Sequence, residues 1–187
     1  VRIENTFTVA APADAAWDLL MDVPRVIPCM PGATLDEVVD ESHWKATMQV
    51  KLGPIALTFA TDVERAEADE TGKRVVLVAN AREVKNRGRA QASVESLLAV
   101  EDGGTRVQLN TDLTLSGPAA QYGRGLIQEI STQLISSFAT CLEAQLAASP
   151  EEAAAATAAQ GRPVGGISLF FAALGRKISR LFGRRPQ

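Results

Sequence analysis

The chain of 187 residues has a single histidine and only two cysteines. A metal site needs three or four convergent ligands, and His43 with the widely spaced Cys29 and Cys141 does not supply them. No serine sits in a nucleophile elbow, so a serine-histidine-acid arrangement has no support. Gly123-Arg124-Gly125 lacks both the third glycine and the preceding βα context of a dinucleotide loop. No run of 18 apolar residues occurs, so nothing in the sequence reads as a membrane span. Val1 to Ala10 alternates polar and apolar, carries Glu4, and lacks the apolar run of a signal peptide. These absences predict no catalytic residue, no metal and no covalent cofactor, and they predict reduced cysteines in a cytoplasmic protein.

Acid is also missing from one end. No Asp or Glu follows Glu152, whereas six Lys and Arg do. The 152 residues before that point hold the other 13 basic residues against all 22 acids, a net −9. An acidic body excludes nucleic acid as the main partner, because phosphate neutralisation needs a basic face. A basic tail on an acidic body points to an anionic surface met by the tail alone.

What is present reads as α+β. Residues 3–9 alternate as a strand. Pro12 opens a helix to Met21 with Trp17, Leu20 and Met21 on one face, and Asp22 to Met30 forms a short second helical stretch interrupted by prolines. Six strand patterns follow, at 34–39, 43–52, 55–64, 73–84, 89–100 and 105–115, separated by turn signals such as Gly53-Pro54, Thr71-Gly72 and Asp102-Gly103-Gly104. Short turns of this kind join antiparallel neighbours. From Gly117-Pro118 a long helix is predicted to about Ala148, with an apolar stripe running through Leu126, Ile130, Leu134, Phe138 and Leu142. At roughly 30 residues it would be a rod of about 45 Å.

This order predicts a curved seven-stranded sheet wrapped around the long helix. One helix fills the wide end of such a sheet poorly, so an apolar cavity is expected there. Ala79, Ala81, Ala90 and Ala92 are small where large side chains would fill the space. Gly123 and Gly125 in the first turns of the helix suit either a cavity mouth or close helix packing. Alternation and the helix stripe nominate Trp44, Met48, Leu57, Phe59, Ala92, Val94, Leu109, Leu113, Tyr122, Leu126, Ile130 and Leu134 as lining residues, although pattern alone does not separate lining from plain core.

The domain closes at about residue 148. Residues 149–166 read as an Ala/Pro/Gly linker, too poor in large apolar residues to hold a stable helix. Beyond it, Ile167, Phe170, Phe171, Leu174, Ile178, Leu181 and Phe182 recur at helical spacing, flanked by Arg176, Lys177 and Arg180. This basic amphipathic tail, 167–187, suits an anionic membrane surface first, and a groove on a protein partner as the alternative that uses the same stripe. Its energetics favour reversible peripheral attachment: partly buried side chains, about 1 kcal/mol per basic residue near an anionic leaflet, offset by helix ordering. Arg82, Lys85, Arg87 and Arg89 cluster at one hairpin, either as a solvated turn or as a docking patch for an acidic partner or lipid.

Three stretches carry a resemblance: Trp17-Asp18-Leu19-Leu20-Met21-Asp22, Pro28-Cys29-Met30-Pro31-Gly32-Ala33, and Tyr122-Gly123-Arg124-Gly125. Together they resemble the carbon monoxide dehydrogenase CoxG family of the START-like, or SRPBCC, superfamily, over about residues 2–147. The resemblance implies a helix-grip (START/Bet v 1-like) fold with an apolar cavity. It also implies association with a molybdenum CO dehydrogenase or related hydroxylase and a role in its membrane attachment. The expectation is a non-enzymatic adaptor, peripheral on the inner face of the cell membrane, whose cavity holds a quinone or other lipophilic molecule. Two alternatives stay open. One is a START-like enzyme, for which Thr61, Asn80, Ser96 and Thr111 are the polar candidates inside the cavity. The other is a purely structural docking module.

Overall fold

The computed structural model describes residues 1–52, 55–85, 87–121 and 123–148. The linker and tail, 149–187, and Tyr122 lie outside the described residues.

Seven antiparallel strands form one sheet: β1 (Arg2–Val9), β2 (Ala33–Val38), β3 (His43–Leu52), β4 (Ile55–Asp69), β5 (Arg74–Glu83), β6 (Arg89–Glu101) and β7 (Gly104–Leu115). Strands β2 to β7 are a meander, and β1 returns to pair with β7, giving the order β1-β7-β6-β5-β4-β3-β2. Each hairpin follows from a turn signal between alternating segments. The ladder slips at Leu35/Glu37 and at Arg65/Glu67. Such irregularities bend a strand and increase its twist, which suits a sheet that must curl.

Between β1 and β2 lie α1 (Ala13–Met21), α2 (Val23–Val26) and a 3₁₀ turn, Ile27–Cys29. Asp22 caps α2 by accepting from the backbone N–H of Arg25. Gly32 then turns the chain into β2 with φ +83°, where a Cβ would collide with the Gln49 carbonyl oxygen, so only glycine fits.

The last helix, α3, spans Arg124–Ala147. It is shorter than the periodicity predicts. Residues Gly117–Gln121 form a 3₁₀ turn instead, and Gly123 is the N-cap of α3 rather than part of its first turns. The reason is local. Gly117 has φ +76° and no room for a Cβ beside the Arg87 carbonyl oxygen, and the Ser116 N–H donates to the Arg89 carbonyl, tying the β7 exit to the β5–β6 hairpin before a helix can start. Twenty-four residues make a rod of about 36 Å.

The principal core sits where α1, the 3₁₀ turn and the C-terminal half of α3 cover one end of the sheet. It contains Val9, Ala16, Trp17, Leu19, Val75, Leu98, Val107, Leu109, Phe138 and Leu142. Phe7 and Phe138 meet edge to face at 6.2 Å between ring centroids. Cys29 and Cys141 are joined as a disulfide, with 5.4 Å between their α-carbons. This corrects the expectation of two reduced thiols. Their sequence separation of 112 says nothing of their distance in space, and α3 passes directly beside the 3₁₀ turn.

Candidate functional site: a cleft between the sheet and α3

Strand register shows which side chains share the inner face. Two adjacent cross-strand rows stand in the middle of the sheet. One runs Ala46, Thr61, Ala81, Ala90, Leu115; the next runs Trp44, Val63, Ala79, Ala92, Leu113. Half of these ten residues are alanine. Opposite them, α3 presents Leu126, Ile127, Ile130 and Leu134, all half-buried. The backbone of α3 runs close to β1, α1 and the 3₁₀ turn and stays back from β3–β6. Solvent therefore reaches both facing surfaces: Val63, Ala79, Ala81, Ala90, Ala92, Leu113 and Leu115 are each only half-buried. An apolar cleft with an alanine floor is the result.

Sequence-predicted lining residues fall into three groups. Met48, Leu57, Phe59 and Ile130 come together, with Val50, Ala81, Ala90 and Leu115, as a second apolar cluster at the β5–β6 hairpin end. Ala92, Leu113, Leu126 and Leu134 lie on the two faces of the cleft. Leu109 is part of the principal core, and Val94 packs against it. Trp44 is buried at the β3 side, where the Arg65 guanidinium lies 5.5 Å over its ring. That guanidinium also donates to the backbone oxygens of Met21, at 3.1 Å, and Glu41, at 2.7 Å, so it closes that side of the cleft. Tyr122 and the whole predicted membrane-binding set, Ile167 to Phe182, lie outside the described residues.

The two glycines at the head of α3 bear on the cleft. A Cβ at Gly123 or Gly125 would meet no described atom within 4 Å. Close helix packing therefore does not explain them, and the first turn of α3 stands open.

Polar groups inside are few. Thr61, Ser96 and Thr111 are on the inner face; Asn80, nominated with them from sequence, is exposed on the outer face because it pairs across from Asp62 and Gln91. The Thr61 hydroxyl is buried without a hydrogen-bond partner. Glu83 is buried beside Phe59, on the inner face that Ala79 and Ala81 share with it by alternation. Its carboxylate accepts from the Arg87 side chain at 2.8 Å and from the backbone N–H groups of Lys85 and Arg87. These donors, the Arg87 guanidinium first, hold it well below the usual carboxylate range, at about 2. Glu83 is thus a fixed anion that ties the hairpin turn, not a proton carrier.

His43 is exposed at the start of β3. Asp40 and the Ser42 hydroxyl both meet it, at 2.9 Å and 3.1 Å. A relay needs the acid on one ring nitrogen and the nucleophile on the other, but here both contact Nδ1. The Ser42 backbone N–H and the imidazole hold Asp40 down at about 2, so this is a capped turn. Among the described residues no group of three His, Cys, Asp or Glu could hold a metal ion. Among the same residues no helix is long and apolar enough to cross a membrane.

Compared with known proteins, residues 6–147 match the family model for CoxG of carbon monoxide dehydrogenase. Among solved structures, a conserved protein from Geobacillus kaustophilus superposes with a TM-score of 0.70 at 19% identity, covering 79% of this chain and 95% of that one. A START superfamily protein from Mycobacterium smegmatis gives 0.50 at 14% identity, covering 78% and 96%. Norcoclaurine synthase from Thalictrum flavum gives 0.52 at 14% identity, covering 77% and 84%. At these identities the likeness is one of fold, and the fold is START/Bet v 1-like. No curated protein matches the chain.

Proposed function

The chain belongs to the carbon monoxide dehydrogenase CoxG family, and from that premise we propose that it is a non-enzymatic accessory protein that carries a lipophilic molecule of the quinone class. The carrier serves a molybdenum CO dehydrogenase-type enzyme and is held at the inner face of the cell membrane by residues 167–187. One observation carries the ligand half of this reading. Away from the contact of Ile130 with Leu57 and Phe59, apolar side chains on the inner face of the sheet and on α3 stay partly accessible to solvent over an alanine floor. Exposed apolar surface of that kind is stabilised by an apolar guest. A quinone suits it because its ring and isoprenoid chain are apolar.

The membrane half rests on the tail sequence. An enzyme in the aqueous phase must pass electrons to a carrier dissolved in the bilayer, and a cleft beside a membrane-seeking helix would bring the two together. START-like enzymes share the fold, norcoclaurine synthase among them, but the cleft offers no acid–base pair to support that second reading. The test has two arms. Protein purified from membranes is extracted with organic solvent and the extract read by absorbance and mass, followed by titration with a short-chain quinone. An empty extract with no binding on add-back rejects the carrier. Co-sedimentation of full-length protein and residues 1–148 with anionic liposomes tests the tether, and equal behaviour of the two rejects it.

A further inference from the structure

A concavity of about 660 Å³ is lined mainly by outer-face side chains, and it also touches the cleft row Ala46-Thr61-Ala81-Ala90-Leu115. Its walls are side chains two apart on successive strands, with Asn80 and Arg82 on β5 facing Gln91 and Arg89 on β6. Residues two apart on a strand share a face, and all four are exposed.

Arg82 and Arg89 stand directly opposite each other in the ladder. Like charges so placed destabilise the pair. Four other basic residues on this sheet are matched, Arg2 with Asp112, Lys45 with Glu37, Arg74 with Glu67 and Glu95, and Arg106 with Glu101, whereas Lys51 and Arg65 form no ion pair among the described residues. Neither Arg82 nor Arg89 has an ion-pair partner among the described residues. The body around them is acidic overall, and these are the two unpaired cations that stand directly opposite each other. Asp62 on β4, opposite Asn80, is exposed in the same groove, between Asn80 and Lys45.

We propose that this outer groove docks an acidic segment of the partner enzyme, with carboxylates of that segment seated between Arg82 and Arg89. The proposal rests on the reading that the chain serves such an enzyme. Guanidinium forks bind carboxylates with two parallel hydrogen bonds. Asn80 and Gln91 stand beside them as amide donors and acceptors for the segment's backbone. The groove has no roof, which would leave most of a small anion in water; a protein segment brings its own cover.

The experiment measures binding of the full chain to the purified CO dehydrogenase-type enzyme of the same source by biolayer interferometry. The double variant R82E/R89E should lose at least tenfold in affinity, and R106E, at the other end of the sheet, should stay within threefold of the unmodified chain. The isolated R82Q/R89Q protein should melt no lower than the parent, because removing two opposed cations relieves repulsion. Wild-type affinity in R82E/R89E, or an equal loss in R106E, overturns the docking face. A lower melting temperature of R82Q/R89Q also overturns it, since the arginines would then be holding the fold. Failure of the unmodified chain to bind overturns the partnership itself, and this inference with it.

Discussion

Replacing Ala92 by Leu separates a cleft from a packed interior, because the two give opposite signs. Ala92 lies in the middle of the inner face, half-buried, with Ala79 across from it on β5 and Leu113 on β7. Leucine adds three carbons. Where α3 stands back and those carbons fold down onto exposed apolar walls, each contributes up to about 0.8 kcal/mol, so the variant gains between zero and about 2.4 kcal/mol. In a filled core the same carbons would force neighbours off their rotamers and cost about 1–3 kcal/mol. At about 2–4 °C per kcal/mol for a domain of this size, the cleft predicts a melting temperature unchanged or raised by up to about 10 °C. Leu109→Ala, in the principal core, is the contrast and should cost about 2–5 kcal/mol. Differential scanning calorimetry of both variants, each with and without a short-chain quinone, reads the result. Ala92→Leu should also lose the stabilisation by quinone that the parent shows. A fall of several degrees in Ala92→Leu would refute the open cleft.

Other outcomes follow from single contacts. Reducing the Cys29–Cys141 bond, or Cys29→Ser, frees a loop closed over a sequence separation of 112 and should lower stability by up to about 5 kcal/mol, measured by urea denaturation with and without reductant; an unchanged midpoint contradicts the bond. Glu83 is held at about 2 against a usual 4.5, so its contribution is full above about pH 4.5 and fades as the pH falls toward 2. The difference in melting temperature between the parent and Glu83→Gln should shrink across that window, and a difference independent of pH would remove the Arg87 contact from the account. His43→Ala should leave quinone binding unchanged, because both Asp40 and Ser42 meet the same nitrogen of an exposed ring; a loss of binding would place that turn in the site.

Alternation and turn signals make the strands legible, because period two and glycine-rich turns are local properties. Strand β4 runs on to Asp69, beyond the predicted Glu64, since an irregularity at Arg65/Glu67 breaks the alternation without breaking the ladder. The start of α3 is not legible, because the β7 exit at Ser116 is tied to a carbonyl of another hairpin, a constraint no local pattern carries. The same holds for the site. Met48, Leu57, Phe59 and Ile130 share a cluster as strand and helix periods imply, whereas the disulfide, the Arg65 cover on Trp44 and the Glu83–Arg87 contact each depend on a partner distant in sequence or on a turn that folds back. Pattern places Asn80 on the wrong face because β5 has apolar residues on both sides of it, Val76 and Val78 as well as Val75 and Leu77, so hydrophobicity alone does not choose a face.

The most direct test of the central claim is a titration of the isotope-labelled protein with decylubiquinone, following methyl resonances by NMR. Shifts confined to Leu113, Leu115, Leu126, Ile130 and Leu134, with Val100 and Val84 on the exterior unmoved, are the predicted result. Saturating quinone that leaves the methyls of the cleft walls where they were would contradict it.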